Sequence, residues 1–418
     1  ARALPRFERP GEGLGQAVAQ NRYFDSSPQS RRRDGSVLPA ACHILPLRAA
    51  LCRISSSEMT NSGGVVLVTG ASGFIAVHVV RALLKQGFRV RGTVRDAKNE
   101  RKTKPVRTCC PEAEHPVELV EANLLDDAGW AEAVKGCQHV VHVASPFPNA
   151  EPNHPDDVIR PAVEGTRRVL KFAAECGTVK RVVLTSTMGA VHGEVDNPVD
   201  REYDENDWTN VDFKGLETYA KSKTLAEKAA WDFVNSLPAA KRFELVTVNP
   251  SLVFGPPLHG TYGTSVEVVK RLLDKSTPLI PYVNFAICDV RDVAKAHVQA
   301  LVVPEAAGKR HIINSGNVWL KDIAHILREE LSSQGYYIPF LSAPNIGLWL
   351  VGFIDRSAKM LYPRVGKVFK FSNKRMREVL KVEPRSIKES VLDTAHGLIQ
   401  AGIIHEAPKY VRKELRLD

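Results

Sequence analysis

A doubly wound α/β fold, a parallel sheet with helices on both faces, is predicted by three observations. A short β-branched run, Val65-Val66-Leu67-Val68, stops at Gly70. After Gly73 the apolar spacing becomes helical, with Ile75, Val79, Leu83 and Leu84 on one face. Strand-like and helix-like segments then alternate as far as Asn249. The chain has 418 residues, 44% hydrophobic and 25% charged, an ordinary globular balance with ample length for a large core.

In chain order, residues 1–58 differ from the rest. They carry arginine but no lysine, are rich in Ala, Gly, Pro and Ser, and lack hydrophobic periodicity. We read residues 1–62 as a disordered leader outside the natural protein. An organelle transit peptide is the alternative, opposed by Glu8, Glu12, Asp25, Asp34 and Glu58. Gly87 ends the first helix and residues 88–95 form the second strand. Residues 116–123 read as a strand, 130–135 as the end of a helix, and 139–144 as a strand running into Ser145-Pro146. A long helix over 158–176 precedes a strand over 181–186; a helix over 215–237 precedes a strand over 243–249.

Residues 63–250 therefore read as one nucleotide-binding unit and 251–418 mainly as a smaller mixed lobe. In 250–281, Gly255-Pro256-Pro257, Gly260 and Gly263 signal loops. A helix within 289–303 is expected to return to the main sheet, and most of 308–418 to cover the strand ends as the other wall of a cleft. No apolar run approaches the ~20 residues of a membrane span. Residues 346–354, interrupted by Gly347 and Gly352, read as a buried helix or pocket wall.

The formal charge of +10 is scattered rather than gathered in an arm, which argues against nucleic acid as a partner. The seven cysteines show no metal-ligand spacing, so no metal is expected. Reduced thiols in the cytoplasm are the plain reading.

The Gly70 to Ile75 loop has a physical purpose. Amide groups of Gly70, Ser72, Gly73, Phe74 and Ile75, with the positive end of the following helix, suit a pyrophosphate, and glycine admits close approach. Ala76 stands where a third glycine is common. Together with the strand–helix–strand context, this predicts a Rossmann-type dinucleotide site rather than an ordinary turn. The second strand ends on Arg95, not on an acid. Its guanidinium suits a 2′-phosphate, so NADPH/NADP+ is expected over NADH. Lys98, Arg101, Lys102 and Lys104 add positive potential, and Asp96 is a counterweight that could pair with Arg95.

Tyr219 and Lys223, one helical turn apart, share a face. An ammonium near a phenol favours phenolate, lowering the phenol pKa so that it can exchange a proton with a carbonyl or alcohol oxygen. Thr185-Ser186-Thr187 at a strand end can hold that oxygen; capping of the loop is the simpler role. His192 faces either substrate or solvent.

These motifs resemble the extended short-chain dehydrogenase/reductase family over roughly 65–404. The resemblance rests on Thr69-Gly70-Ala71-Ser72-Gly73-Phe74-Ile75, His142-Val143-Ala144-Ser145-Pro146, Thr185-Ser186-Thr187 and Tyr219-Ala220-Lys221-Ser222-Lys223. Asn249-Pro250-Ser251 and Asp289-Val290-Arg291-Asp292-Val293-Ala294 extend it. Leu225-Ala226-Glu227-Lys228 and Val253-Phe254-Gly255-Pro256 point to the dihydroflavonol-reductase, cinnamoyl-CoA-reductase and methylglyoxal/ketone-reductase group. The resemblance implies Tyr219 as general acid and Lys223 as its tuner and a ribose ligand. It implies Thr187 as the carbonyl-orienting hydroxyl, with adjacent Ser186 as the alternative. It places Ala144, Ser145, Pro146, Pro250 and Ser251 along the cofactor, and Arg95 on the 2′-phosphate.

Two positions depart from the family. Asn123-Leu124 replaces the usual Asp-Leu near adenine, although Asn can still donate or accept. Met188-Gly189 follows Thr187 where the dehydratases carry an Asp-Glu pair, so reduction of an aldehyde or ketone is preferred to water elimination. The alternatives are a nucleotide-sugar epimerase or hydroxysteroid dehydrogenase on this fold, and an idle cofactor-binding regulator. The intact Thr187, Tyr219 and Lys223 set argues against the last. The family often pairs through helices, which leaves a homodimer open.

Overall fold

The computed structural model describes residues 64–145, 154–195, 200–258, 260–344 and 362–417. The leader, Pro146 and the apolar run 346–354 lie outside the described residues. β1 (Val65–Thr69) leads into α1 (Phe74–Lys85), β2 (Arg89–Val94), α2 (Glu100–Arg107), β3 (Glu118–Glu121) and α3 (Trp130–Val134). β4 (Cys137–His142), α4 (Asp156–Cys176), β5 (Arg181–Thr185), β6 (Glu202–Tyr203), α5 (Thr218–Ser236), β7 (Glu244–Pro250) and β8 (Leu252–Phe254) follow. The second half holds α6 (Glu267–Leu273), β9 (Asn284–Asp289), α7 (Val290–Val302), β10 (Arg310–Ile313) and β11 (Gly316–Trp319). It continues with α8 (Leu320–Leu331), β12 (Lys370–Phe371), α9 (Lys374–Glu378) and α10 (Ile387–Gln400).

Seven strands make one sheet in the order β10-β7-β5-β4-β1-β2-β3, each neighbouring pair parallel. The strands are apolar in both directions because both faces are covered. Val66 and Val68 of β1 join the core beneath α1 and α7, while Leu67 between them joins the core beneath α4 and α5. Val183 of β5 faces the first core and Val182 and Leu184 the second. Each such side chain contributes about 1.5–3 kcal/mol. The strand order reverses at β1, between β2 and β4. Ligands of such sheets bind beyond the strand C-termini at this reversal.

The helix expected to return to the sheet is α7. Its C-terminal carbonyls at Ala300, Leu301 and Val303 accept from Arg181 Nη1 of β5 at 3.0, 3.0 and 2.7 Å. At its other end, Arg291 lies 2.7 Å from Asp289 and 2.7 Å from Asp393 of α10. The Asp-Val-Arg-Asp motif is therefore a buried clamp between α7 and α10. The segment 308–418 also contributes to the main sheet. Its strand β10 pairs with β7 as an edge of the main sheet, because His311, Ile312 and Ile313 are fully buried there. β9 is flanked by β8, parallel, and β11, antiparallel, in a second sheet. No helix among the described residues is long and apolar enough to cross a membrane.

Candidate active site

The loop after β1 is built for close approach. Gly70 has φ 65°, and a Cβ there would lie 3.0 Å from the Ala144 Cβ beyond β4. Gly70 N donates to Thr93 Oγ1 and Ala71 N to the Thr93 carbonyl, both at 2.9 Å. Gly92 makes room for this, since a Cβ on it would meet the Ala71 Cβ at 2.6 Å. Thr69 Oγ1 lies 2.8 Å from His142 Nδ1 and accepts from Ala144 N at 3.0 Å, tying the ends of β1 and β4 together. Gly73 N-caps α1 without a side-chain hydrogen bond, which leaves the first-turn amides without a side-chain cap. Thr93 and Gly92 were not singled out from the sequence; the Gly-Thr pair inside a β-branched run is the signal.

The cofactor-site residues fall at successive strand ends. Ser72, Ile75, Ala144 and Ser145 are half-buried around the loop. The Phe74 ring is buried against His78 in an edge-on contact at 5.8 Å, so only its backbone is available to a ligand. Arg95 is exposed just past β2 and is in no ion pair among the described residues. Asp96 does not pair with it; its Oδ1 accepts from Lys98 N at 2.9 Å instead. Asn123 Oδ1 accepts from Leu125 N at 3.2 Å, shaping its own turn. Leu124 packs against α4, where a Cβ on Gly165 would come within 3.1 Å of the Leu124 Cβ. Pro250 lies in β7 beside Ile313, and Ser251 Oγ donates to the Ile313 carbonyl at 3.2 Å.

These residues fit a dinucleotide. A cradle that a single Cβ would obstruct, an uncapped helix N-terminus and an exposed guanidinium one strand away are what a pyrophosphate and a ribose phosphate require.

β5 ends on Thr185, and the next two hydroxyls part company. Ser186 is buried, and its Oγ donates to Glu227 Oε2 at 2.5 Å. Thr187 is half-buried; its Oγ1 accepts from Gly189 N at 3.2 Å and caps the turn Met188–Ala190. On α5, Lys223 is buried and its Nζ donates to the Thr185 carbonyl at 2.8 Å. Burial brings its pKa down to about 8, against an upward pull from Glu227.

Tyr219 exposes 43% of its surface, yet desolvation raises its phenol above the ordinary value. The expected lowering of the phenol by Lys223 is not seen, because desolvation raises it instead. His192 is not a surface residue either. Its side chain is 9% exposed, with Nδ1 3.1 Å from Glu194 Oε2, and its ring stacks on Tyr203 at 4.0 Å.

Glu227 lies within the Leu225–Lys228 motif, and Arg310 carries no local sequence signal. They form a buried pair, Nε to Oε1 2.6 Å. The spacing 219, 223, 227 already puts Glu227 on the face of Tyr219 and Lys223. No group of three or more His, Cys, Asp or Glu that could hold a metal occurs among the described residues.

Comparison with known proteins agrees with this architecture. A family model described as the NAD dependent epimerase/dehydratase family matches residues 66–316. The chain belongs to that family. It is 34% identical over 343 residues to cinnamoyl-CoA reductase 1 of Petunia hybrida, covering 82% of this chain and 94% of that one. It is 36% identical over 275 residues to dihydroflavonol 4-reductase of Zea mays, covering 64% of this chain and 74% of that one. Among solved structures, Gre2 of Candida albicans in complex with NADPH superposes with a TM-score of 0.66 at 28% identity, over 81% of this chain and 99% of that one. The chain is a nicotinamide-dependent reductase of the extended short-chain dehydrogenase/reductase type.

Proposed function

We propose that the chain reduces an aldehyde or ketone to an alcohol with NADPH. Residues 63–250 hold the cofactor and 251–418 mainly shape the substrate pocket. The observation that carries this is the arrangement at the end of β5. Thr187 is half-buried at the end of β5, Tyr219 is exposed one helical turn from Lys223, and Lys223 is buried with its Nζ 2.8 Å from the Thr185 carbonyl.

When bound, NADPH supplies the hydride. Thr187 Oγ donates a hydrogen bond to the substrate carbonyl oxygen and aligns it. Tyr219 gives its phenolic proton to that oxygen as negative charge develops on it. Lys223 stabilises the phenolate left behind while it remains cationic, and it would hydrogen-bond the nicotinamide ribose of the bound cofactor. Gly70 and Gly73 let the loop approach the pyrophosphate, which Ser72, Phe74 and Ile75 would hold through backbone amides, since Gly70 N and Gly73 N already donate within the protein. Arg95 holds the 2′-phosphate, and Asn123 and Leu124 border the adenine. Ala144 and Ser145 would line the cofactor cleft, and Pro250 and Ser251 would lie beside the nicotinamide. Met188 and Gly189 supply no carboxylate for elimination, which supports reduction over dehydration.

Every cysteine among the described residues is free, in keeping with a cytoplasmic protein. Pairing of two copies through helices belongs to the same reading and is checked by light scattering. The function is tested by following NADPH oxidation across a panel of aldehydes and ketones, with nucleotide sugars as controls. Turnover of a carbonyl compound is expected. Turnover of a nucleotide sugar alone would overturn the reading.

A further inference from the structure

We propose that Glu227 and Arg310 are positioning residues, joining the helix of Tyr219 and Lys223 to the turn that starts at Thr187, so that β10 completes the active site. The proposal rests on the roles given above to Thr187, Tyr219 and Lys223.

Glu227 is 1% exposed and lies one helical turn beyond Lys223 on the same face of α5. One of its oxygens accepts from Ser186 Oγ at 2.5 Å and from Asn249 Nδ2 at 2.8 Å. The other accepts from Arg310 Nε at 2.6 Å and from Thr247 Oγ1 at 3.1 Å. Asn249 Nδ2 also lies 3.3 Å from the Thr187 carbonyl. The carboxylate thus binds α5 to the ends of β5 and β7 at once.

Arg310 holds the same turn from its far end. Its Nη2 donates to the Ala190 carbonyl at 3.2 Å, and its Nη1 donates to the Glu205 carbonyl at 3.1 Å and to that of Asp207. Its guanidinium lies 3.7 Å from the centroid of the Trp208 ring. The carbonyls at both ends of the turn, Thr187 and Ala190, are therefore held by the pair and its Asn249 relay. With the backbone of the turn held at both ends, the direction in which the Thr187 side chain leaves it is fixed.

A buried ion pair is weak as a source of stability, because apolar side chains of similar volume do as well. What it supplies is direction: a planar fork of donors against two acceptor oxygens fixes angles as well as distances. Glu227 also faces Lys223 electrostatically and raises its pKa. The other titratable groups near Lys223 are Tyr219 and His142. Burial lowers His142 to about 3, so it stays neutral at working pH.

The test is Glu227→Gln, assayed for NADPH-dependent reduction of a carbonyl substrate accepted by the wild type. The expected result is a kcat lower by roughly ten- to a hundredfold, as for a small misplacement of catalytic groups, with an unchanged KM for NADPH. The alkaline limb of kcat moves to lower pH, because Lys223 loses the charge that raises its pKa. The double variant Glu227→Gln/Arg310→Met removes the orphaned cation. It is expected to recover the melting temperature but not kcat. Recovery of both, or a wild-type kcat in Glu227→Gln, overturns the proposal. If Glu227→Gln does not fold, Arg310→Lys decides it. That variant keeps the charge and loses the fork, so kcat should fall with KM unchanged, and a wild-type kcat refutes the idea. Tyr219→Phe is run alongside. Full turnover there sinks the underlying site reading, whereas loss of turnover there with a wild-type Glu227→Gln sinks only the positioning role.

Discussion

Ser186 Oγ and Glu227 Oε2 are 2.5 Å apart in the buried floor of the site, while the next hydroxyl along the chain, Thr187, stays half-open. Adjacent residues of an extended chain point to opposite sides, so only one of the two can meet substrate. Thr187→Ala is expected to lower kcat by at least about 10², as for a removed oxyanion-type donor, and to cost about 1 kcal/mol of stability for the lost cap. Ser186→Ala should instead cost about 1.5–3 kcal/mol of stability, the worth of a hydrogen bond to a charged group, and spare more of kcat. Paired kinetics and denaturant titrations check this, and the reverse order would exchange the two roles.

Tyr219→Phe removes one hydroxyl. Cofactor binding, read by fluorescence titration, should persist while turnover falls by roughly 10²–10⁴-fold, the range for a lost general acid. Turnover near the wild-type value would eliminate the proposed role.

The ammonium of Lys223 has a pKa of about 8 in the folded protein, below its unfolded value. The reaction should therefore lose rate as pH rises through about 8. Stability moves the other way. Between the folded and unfolded values the unfolded chain binds more protons, so stability rises with pH across that window. Lys223→Met should abolish that rise. A denaturation midpoint with the same upward pH trend in Lys223→Met would assign the effect to another group.

Arg95 is exposed at the end of β2 with no acidic partner among the described residues. Arg95→Ala should raise the KM for NADPH by roughly ten- to a hundredfold, the equivalent of one charge-assisted contact, and leave that for NADH unchanged. An equal effect on both cofactors would remove Arg95 from the 2′-phosphate.

Gly70 combines φ 65° with a 3.0 Å approach of a notional Cβ to the Ala144 Cβ. Gly70→Ala is expected to cost about 1–2 kcal/mol from the left-handed backbone alone and to weaken NADPH binding by pushing β1 and β4 apart. Unaltered NADPH affinity in a folded variant would show that the crevice tolerates the methyl group.

What the sequence determined by itself was local and periodic. The β-branched runs, the helical spacing after Gly73 and the alternation to Asn249 specify a doubly wound sheet, because strand and helix periods are written in consecutive residues. The Gly70–Ile75 loop, Arg95 and the Tyr219–Lys223 spacing were legible for the same reason: each lies within one turn or one strand end. The tertiary structure decided the rest. Ser186 and Thr187 are chemically near-equivalent in sequence, and only the Glu227 carboxylate distinguishes them. His192 is a half-buried, stacked residue because its ring packs on Tyr203 and its Nδ1 meets Glu194. Arg310 reaches Glu227 across 83 residues of chain, a pairing that no periodicity encodes. It exists because β10 returns to the edge of the main sheet, where the desolvated guanidinium requires an anion and several carbonyls, and the site floor supplies them.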